Sequence, residues 1–515
     1  MDYFEEFVEA VVLGEVKTRN DVLRLKARLC SKHGMARVPT NHEILARVPD
    51  EYREIAEPLL MNKPVRTLSG VAPVAVMTSP YDCPHGRCIY CPGGVTNNTP
   101  QSYTGREPAA RRAGMYDYDP FRQTKARLEQ LRAIGHRTDK VDLIIMGGTF
   151  TSRPVEYQDF FVKRCFDAMN GFDSTDLDSA QVANETAGSR CVGLTVETRP
   201  DWFGDAQVQH SMVLGATKVE LGVQTLDDAV LDRVGRGHHV REVVEATRRA
   251  KDAGLKLAYH IMPGLPGSSF EKDLESFRMM IDDERFRPDM LKIYPTLVVA
   301  GTGLYDMWRK GEYEPMSLEK TVELLALFKR MVPPWIRILR VQRDIPAQLI
   351  EAGVRKGHLR ELVMQRLREE GSSCRCIRCR EIGHVPGRGE TVDEREVEMR
   401  CTKYRASGGT EHFVSFEIPD IDSLIGYARL RTLDSSETAL VRELHVYGQM
   451  VPLSERPAKR WQHRGFGERL LRECERIAES GGHRRIRVTS GVGAREYYRK
   501  LGYELDRPYM SKPLS

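Results

Sequence analysis

The sequence predicts an α/β protein, a partial β/α barrel over residues 71–345 followed by a smaller α+β domain over 406–515. Three observations carry this expectation. Up to about residue 345, short apolar segments alternate with amphipathic stretches. From residue 412 a different rhythm of β-like segments begins. Six of the eleven cysteines fall into two tight clusters, Cys83/Cys88/Cys91 and Cys374/Cys376/Cys379. At 515 residues the chain exceeds one ordinary core, so several domains are expected.

Residues 1–70 read as a helical, basic segment. "RNDVLRLKARLCSKHGMAR" (19–37) carries six Lys/Arg against one Asp, although the net charge of the chain is only +5. The start "MDYFEEFVEAVV" is acidic and lacks the basic n-region of a secretory signal. No apolar run is long enough to span a bilayer. A cytoplasmic location away from membranes follows as the expectation, and eleven cysteines there point away from structural disulfides. The scattered Cys30, Cys165, Cys191, Cys401 and Cys474 read as small buried hydrophobes.

The barrel strands are expected at 71–79, 141–148, 191–198, 217–225, 255–262, 290–299 and 336–342, with helical stretches such as 121–135 and 240–254 between them. Near-continuous apolar strands separated by helices mean a parallel sheet covered by helices. Its chemistry belongs at the C-terminal strand ends.

"CPHGRCIYCPGG" (83–94) follows the first of these strands directly. Three thiolates at C-x4-C-x2-C spacing suit a 4Fe–4S cluster with one open iron, with zinc and a fourth ligand as the alternative on spacing alone. With this motif the barrel resembles the radical S-adenosylmethionine (SAM) superfamily, whose usual first gap is three residues rather than four. The resemblance implies that Cys83, Cys88 and Cys91 hold the cluster and that SAM occupies the open iron. "MGGTF" (146–150), "ETRPD" (197–201), "ELGVQT" (220–225), "VGRGHH" (234–239) and "HIMPGLPGSS" (260–269) lie near successive strand ends, as the family's SAM contacts do. By that resemblance Gly147 and Gly148 approach the SAM amino group, Glu197 and Gln224 touch its ribose and methionine parts, and Arg236 pairs with its carboxylate. Tyr90 would pack against adenine. Lys292 and Tyr294 sit at another strand end and shape the channel, with no step assigned.

Residues 346–405 read as a basic linker with a zinc site. "RKGHLRELVMQRLREEGSSCRCIRCR" (355–380) is Arg-rich, and Cys374, Cys376 and Cys379 with His384 would make a tetrahedral set, His358 being the alternative fourth ligand. In the last domain, "QHRGFGERLLRECERIAE" (462–479) is a Gly-rich turn feeding a helix, a geometry that presents N–H groups to pyrophosphate. A strand "RIRVTSG" and a helix at 493–501 follow. This resembles the GNAT acyltransferase fold, which implies acetyl-CoA binding by Gln462, His463, Arg464, Gly465, Phe466 and Gly467. Of Tyr497 and Tyr498, one would protonate the leaving thiolate, and Glu443 is a candidate base.

The pairing of these two domains, with "QSYTGREPAARRA" (101–113) and "GVGAREYYRKLGYELDRPYMSK" (491–512), is similar to the Elongator catalytic-subunit family in its stand-alone archaeal or bacterial form, over nearly the whole length. The resemblance implies modification of tRNA wobble uridine at C5, with acetyl-CoA as co-substrate and tRNA as partner. A homo-oligomer is compatible with the sequence, and the electron donor is unidentified. Two other readings compete: a protein lysine acetyltransferase whose iron–sulfur domain is only structural, and a non-catalytic tRNA scaffold. The barrel motifs disfavour the first, because a purely structural cluster needs no SAM contacts at several strand ends, and the intact cysteines and CoA turn disfavour the second.

Overall fold

The computed structural model describes residues 1–60, 70–384, 394–447 and 465–514. The N-terminal helices Tyr3–Val12 and Arg19–Lys32 both begin at capping boxes, Asp2 with Glu5 and Thr18 with Asp21. With Asn41–Leu45 and Arg53–Leu60 they enclose a small core of Phe7, Val11, Val22, Leu25, Ile44 and Leu60. The basic run 19–37 is partly neutralised from within: Lys32 pairs with Glu6 at 2.7 Å, Arg37 with Glu43 at 2.5 Å and Arg28 with Glu15 at 3.8 Å.

Seven strands pair in parallel and in chain order. They are β1 (Ala72–Met77), β2 (Lys140–Met146), β3 (Arg190–Thr198), β4 (Lys218–Gln224), β5 (Lys256–Ile261), β6 (Met290–Ile293) and, past the short β7 (Val298–Val299), β8 (Arg337–Arg340). Helices between them cover the sheet and bury Phe161, Phe166, Leu257, Phe277 and Leu325, among others. All seven expected segments are strands, but the segment 290–299 divides. Pro295 lacks the N–H that a ladder needs. Tyr294 and Thr296 turn their N–H groups to Ile261 O (2.7 Å) and Pro263 O (2.9 Å). β7 then pairs antiparallel with β9 (Ile350–Ala352).

The second sheet runs β10 (Glu398–Ala406), β11 (Gly409–Ile418), β12 (Ser423–Thr432), β13 (Thr438–Val446) and β14 (Arg485–Val488), and then β16 (Tyr509–Pro513) followed by β15 (Glu504–Asp506) at its edge. Every pairing is antiparallel except β13 with β14. The amphipathic helix Phe466–Ser480 packs Leu470, Leu471, Cys474 and Ala478 into this sheet's core. Of the span 346–405, the helix Leu359–Glu369 buries Leu359, Val363 and Leu367 in the barrel core, and β10 forms the outer strand of the second sheet. Arginines of that span are engaged inside the molecule: Arg360 donates to Ile338 O at 3.0 Å, Arg375 meets Asp422 at 3.1 Å, and Arg380 meets Glu417 at 2.5 Å.

A buried charge network joins the two domains. Arg442 donates two hydrogen bonds to Asp289, at 2.6 and 2.8 Å, and another to Leu255 O at 2.8 Å. Glu411 accepts from Arg442 at 2.9 Å and from Arg431 at 3.1 Å, and Arg431 also meets Asp252 at 2.6 Å. Trp335 stacks on Tyr404 with ring centroids 4.3 Å apart, and Glu185 accepts from Arg495 and Arg499 at 3.0 and 2.6 Å. Buried charges are tolerated only when paired and hydrogen-bonded. Here that requirement ties the barrel and the second domain into one body.

Candidate functional site

The cysteine loop leaves β1 at the C-terminal end of the sheet. Gly86 N–H closes a turn on Cys83 O (2.9 Å), and Cys91 N–H closes another on Cys88 O (3.0 Å). Ile89 N–H bonds Val234 O at 3.1 Å, and Leu304 N–H bonds Ile89 O at 2.8 Å, so the loop is pinned from two sides. Cys88 and Cys91 are buried and Cys83 is half-buried. Each sulfur has a polar neighbour: Thr149 Oγ1 lies 3.5 Å from Cys83, Ser102 N–H donates to Cys91 at 3.0 Å, and His85 Nε2 lies 3.1 Å from Cys88. Burial pushes the thiols of Cys83 and Cys91 up, so ligating thiolates call for a cation among them.

Among the described residues, only Cys374, Cys376 and Cys379 have all their ligand atoms within 4.8 Å of one another. That is the spacing a single tetrahedral ion demands, with zinc–sulfur bonds of about 2.3 Å. Cys83, Cys88 and Cys91 stand wider, as suits ligands on separate irons of one cluster. In the tight group Cys376 is fully buried, and Lys329 Nζ lies 3.7 Å from Cys379 Sγ. His358 stands exposed at the cap of helix Leu359–Glu369 and is not part of the group. The His384 side chain lies outside the described residues.

Around the cysteine loop the expected strand-end residues converge. Gly147, at φ +137°, has no room for a side chain: a Cβ there would lie 2.0 Å from Thr78 Oγ1. A Cβ on Gly148 would lie 3.9 Å from Cys83 Sγ. Glu197 accepts from Tyr103 O–H at 2.8 Å and from Gly147 N–H at 3.4 Å. Arg236 is buried, donates to Gly222 O at 2.6 Å and reaches Cys88 Sγ at 3.8 Å. Gln224 adopts φ +72°, a conformation that bulky residues avoid unless the surroundings impose it. Buried polar atoms without hydrogen-bond partners collect in this region: Gln224 Oε1, Arg236 Nε and Arg199 Nη1, while Tyr90 is buried beside Cys88. Such orphaned groups are costly unless a ligand satisfies them. The residues present therefore fit a polar cofactor beside a thiolate-bound cluster.

Deeper in the barrel lies a constellation that sequence reasoning missed in part. Parallel register sets Glu197 opposite Glu220 and His260 opposite Lys292. Lys292 Nζ contacts Glu220 Oε2 directly, and His260 Nε2 lies 3.0 Å from the same oxygen. Burial would push the Glu220 carboxyl up, but Lys292 and His260 outweigh it and hold it well below the usual carboxylate range. Burial likewise pulls Lys292 down, while Glu220 and Tyr294 hold it above its usual value. The lysine expected to line the channel is thus a charged group clamped by an acid. A charged Glu inside the apolar run of β4 was the available signal. Arg343, also unforeseen, donates to Ser102 O and lies over the rings of Tyr103 and Tyr294.

In the second domain, pairing of β13 with β14 covers only Thr438–Val441, and β13 continues beside β12 through Val446. A bulge at Arg442 turns that side chain to Asp289 and sets Glu443 opposite Arg429. Arg429 donates to Glu443 Oε2 at 2.9 Å and to Trp335 O of the barrel at 2.7 Å. Burial pushes Glu443 up, but Lys256 and Arg429 prevail and keep it below its usual range. Gly465, at φ +82°, caps the helix Phe466–Ser480. The Tyr497 hydroxyl lies 2.9 Å from where a Cβ on Gly467 would stand, over the first turn of that helix. Tyr498 packs edge-on against Tyr503 inside the core. Gln462, His463 and Arg464 lie outside the described residues.

Comparison with known proteins agrees with this geometry. Residues 78–280 match the radical SAM superfamily, 288–369 the radical SAM C-terminal domain, 1–68 the ELP3 N-terminal domain and 381–503 the acetyltransferase (GNAT) family. The tRNA uridine(34) acetyltransferase of Methanocaldococcus jannaschii is 51% identical over 92% of this chain and 90% of its own length. Human Elongator complex protein 3 is 44% identical over 100% of this chain and 96% of its own. The structure of archaeal Methanocaldococcus infernus Elp3 lacking its N-terminus superposes with a TM-score of 0.77 at 46% identity, covering 87% of this chain and 100% of that one. A radical SAM barrel and a GNAT domain on one chain, with relatives this similar along its whole length, place the protein in the Elongator complex protein 3 (Elp3) family.

Proposed function

We propose that this enzyme modifies the wobble uridine of tRNA at C5, drawing the added group from acetyl-CoA by radical chemistry. One observation carries the reading: the cysteine loop with its orphaned polar cradle and the acyl cleft belong to one body, joined through Asp289, Arg442 and Arg429. Uridine C5 is a poor nucleophile, so a carbon–carbon bond there requires activation of the acetyl methyl. A 4Fe–4S cluster held by Cys83, Cys88 and Cys91 would supply the electron that turns SAM into a 5′-deoxyadenosyl radical, the hydrogen acceptor that this methyl requires. The net exchange would replace one C–H bond of the acetyl methyl and the C5–H bond of uridine by a C–C bond, the methyl hydrogen leaving in 5′-deoxyadenosine, the C5 hydrogen as a proton and its electron returning to the oxidised cluster. Hydrolysis of the thioester would free CoA and a carboxymethyl group.

The chain's own residues have defined parts. Cys83, Cys88 and Cys91 would hold the cluster, with Arg236 and Gln224 offering a donor and an acceptor to SAM. Arg236 suits a carboxylate through its fork of N–H groups. Glu197, held by Tyr103, closes the floor of that cradle. The first turn of helix Phe466–Ser480 would face the CoA pyrophosphate, and Tyr497, whose hydroxyl lies over that turn, would give its proton to the leaving thiolate. Lys292, kept charged by Glu220, presents a cation to the barrel lumen. Cys374, Cys376 and Cys379 would bind zinc, stapling the segment after helix Leu359–Glu369 to the barrel. The helices of residues 1–60 would contribute to holding tRNA, and such binding weakens steeply with salt through counterion release.

The test is the nucleoside profile of tRNA incubated with the anaerobically reconstituted protein, SAM and acetyl-CoA. A C5-substituted uridine at the wobble position, dependent on both small molecules, is the expected result. Unmodified tRNA together with acetylated protein lysines would overturn it.

A further inference from the structure

Three of the four residues in the first cysteine gap have clear structural parts. Pro84 and Gly86 build the turn, with Gly86 at φ +89°, and Arg87 Nε ties the loop to Cys91 O at 2.9 Å. The fourth, His85, has no such part. Its Nδ1 is buried without a hydrogen-bond partner, and its one directed polar contact is Nε2 to Cys88 Sγ at 3.1 Å. The ring is held there by the loop 234–239. Gly237, at φ +70°, comes so close that a Cβ on it would lie 2.7 Å from His85 Cβ. Any other residue at 237 would displace the imidazole from the sulfur.

We propose that His85 tunes the iron–sulfur centre, its Nε2–H donating to Cys88 Sγ and raising the reduction potential of the cluster bound by Cys83, Cys88 and Cys91. The inference rests on the cluster reading above. A ligating thiolate carries no proton, so in a His–thiolate contact the ring must be the donor. A neutral imidazole has one N–H, and only Nε2 has an acceptor in reach. A charged ring would donate to Cys88 through the same nitrogen, so the contact holds in either form. Hydrogen bonds to cluster sulfurs draw charge off them and favour the reduced state. Cys88 is the sulfur on which two side-chain nitrogens converge, from His85 at 3.1 Å and Arg236 at 3.8 Å. The one-residue extension of the first gap thus gives this ligand its own donor.

The experiment compares full-length wild type, His85→Gln and His85→Leu, each reconstituted anaerobically, by iron and sulfide content and by EPR-monitored potentiometry without SAM. The expectation is equal iron content, a more negative midpoint for His85→Leu, and a midpoint near wild type for His85→Gln, which keeps an N–H donor. A fully loaded His85→Leu with the wild-type midpoint overturns the proposal, as does an altered midpoint that Gln leaves uncorrected. Pulsed EPR of reduced wild-type protein labelled with 15N-histidine gives an answer even where Leu disturbs assembly. A weak nitrogen coupling supports the hydrogen bond. No coupling, or the strong coupling of a direct iron ligand, overturns it. A wild type that assembles no redox-active iron instead removes the reading beneath, which iron analysis alone reveals.

Discussion

At the residue scale, the two adjacent tyrosines separate cleanly. Tyr497 is 38% exposed over the helix start, whereas Tyr498 is a core ring. Tyr497→Phe is expected to lower the turnover of tRNA modification by about 10²–10⁴-fold, the range for losing a positioned acid. Tyr498→Phe should leave the rate near wild type. A second prediction concerns Asp273, buried behind the "PGLPGSS" turn, where it accepts from Gly264 N–H and Ser268 O–H, both at 2.6 Å. Burial pushes its carboxyl up to about 6, with Asp227 adding to the effect. A raised carboxyl favours folding fully below the unfolded value, and that contribution is lost as pH rises through the folded one. Asp273→Asn should therefore match wild type near pH 4 and become the more stable protein by pH 7, by up to about 3 kcal/mol at 1.36 kcal/mol per unit. Parallel thermal melts across that range check it, and a pH-independent difference would contradict it. Much of the site was legible one residue at a time, because Cys83, Glu197, Gln224 and Arg236 stand in short motifs at strand ends. Glu220 and His260 stand in the same motifs, but their pairing with each other and with Lys292 was not legible, because the partners come from neighbouring strands 40 or more residues away.

At the level of elements, apolar runs announced the buried strands because both faces of a helix-covered parallel sheet are apolar. The same rule hid β10. As an edge strand it exposes Glu398, Met399, Arg400 and Cys401, and charged, exposed edges are how proteins discourage edge-to-edge pairing. Its turn is marked by positive φ at Ser407 and Gly408, a signature readable in "SGG". The split of β6 from β7 was also written in Pro295. The element with the clearest test is the loop 374–379. Serine at Cys374, Cys376 and Cys379 together should remove zinc from the purified protein while leaving iron content unchanged, with a fall in Tm of several degrees or more. Elemental analysis decides it. Iron lost along with zinc, or no zinc in the wild type, would contradict the assignment of the two cysteine groups.

For the whole molecule, stability and catalysis meet at the domain junction. Asp289 directly precedes β6, the strand that carries Lys292, and it anchors Arg442, the neighbour of Glu443. Each of these charges, read singly along the chain, resembles an ordinary surface group. The Asp289–Arg442 pair forms only when segments 153 residues apart dock, so the network could not be foreseen. Breaking one partner of a buried pair costs about 3–5 kcal/mol, because the other charge is left unpaired in a dry site. Arg442→Met should lower Tm by no more than that full cost, since Asp289 and Glu411 both lose a partner while Lys251 and Arg429 stay beside Asp289 and Arg431 beside Glu411. Calorimetry checks this, and an unchanged Tm would show the network to be dispensable. Under the proposed function, this junction would let a radical formed at the barrel's cysteine loop act on a thioester held by the acetyltransferase domain. Turnover with methyl-deuterated acetyl-CoA, SAM and tRNA tests that claim most directly. The account predicts deuterium in the 5′-deoxyadenosine released alongside modified uridine; modified uridine with unlabelled 5′-deoxyadenosine would contradict it.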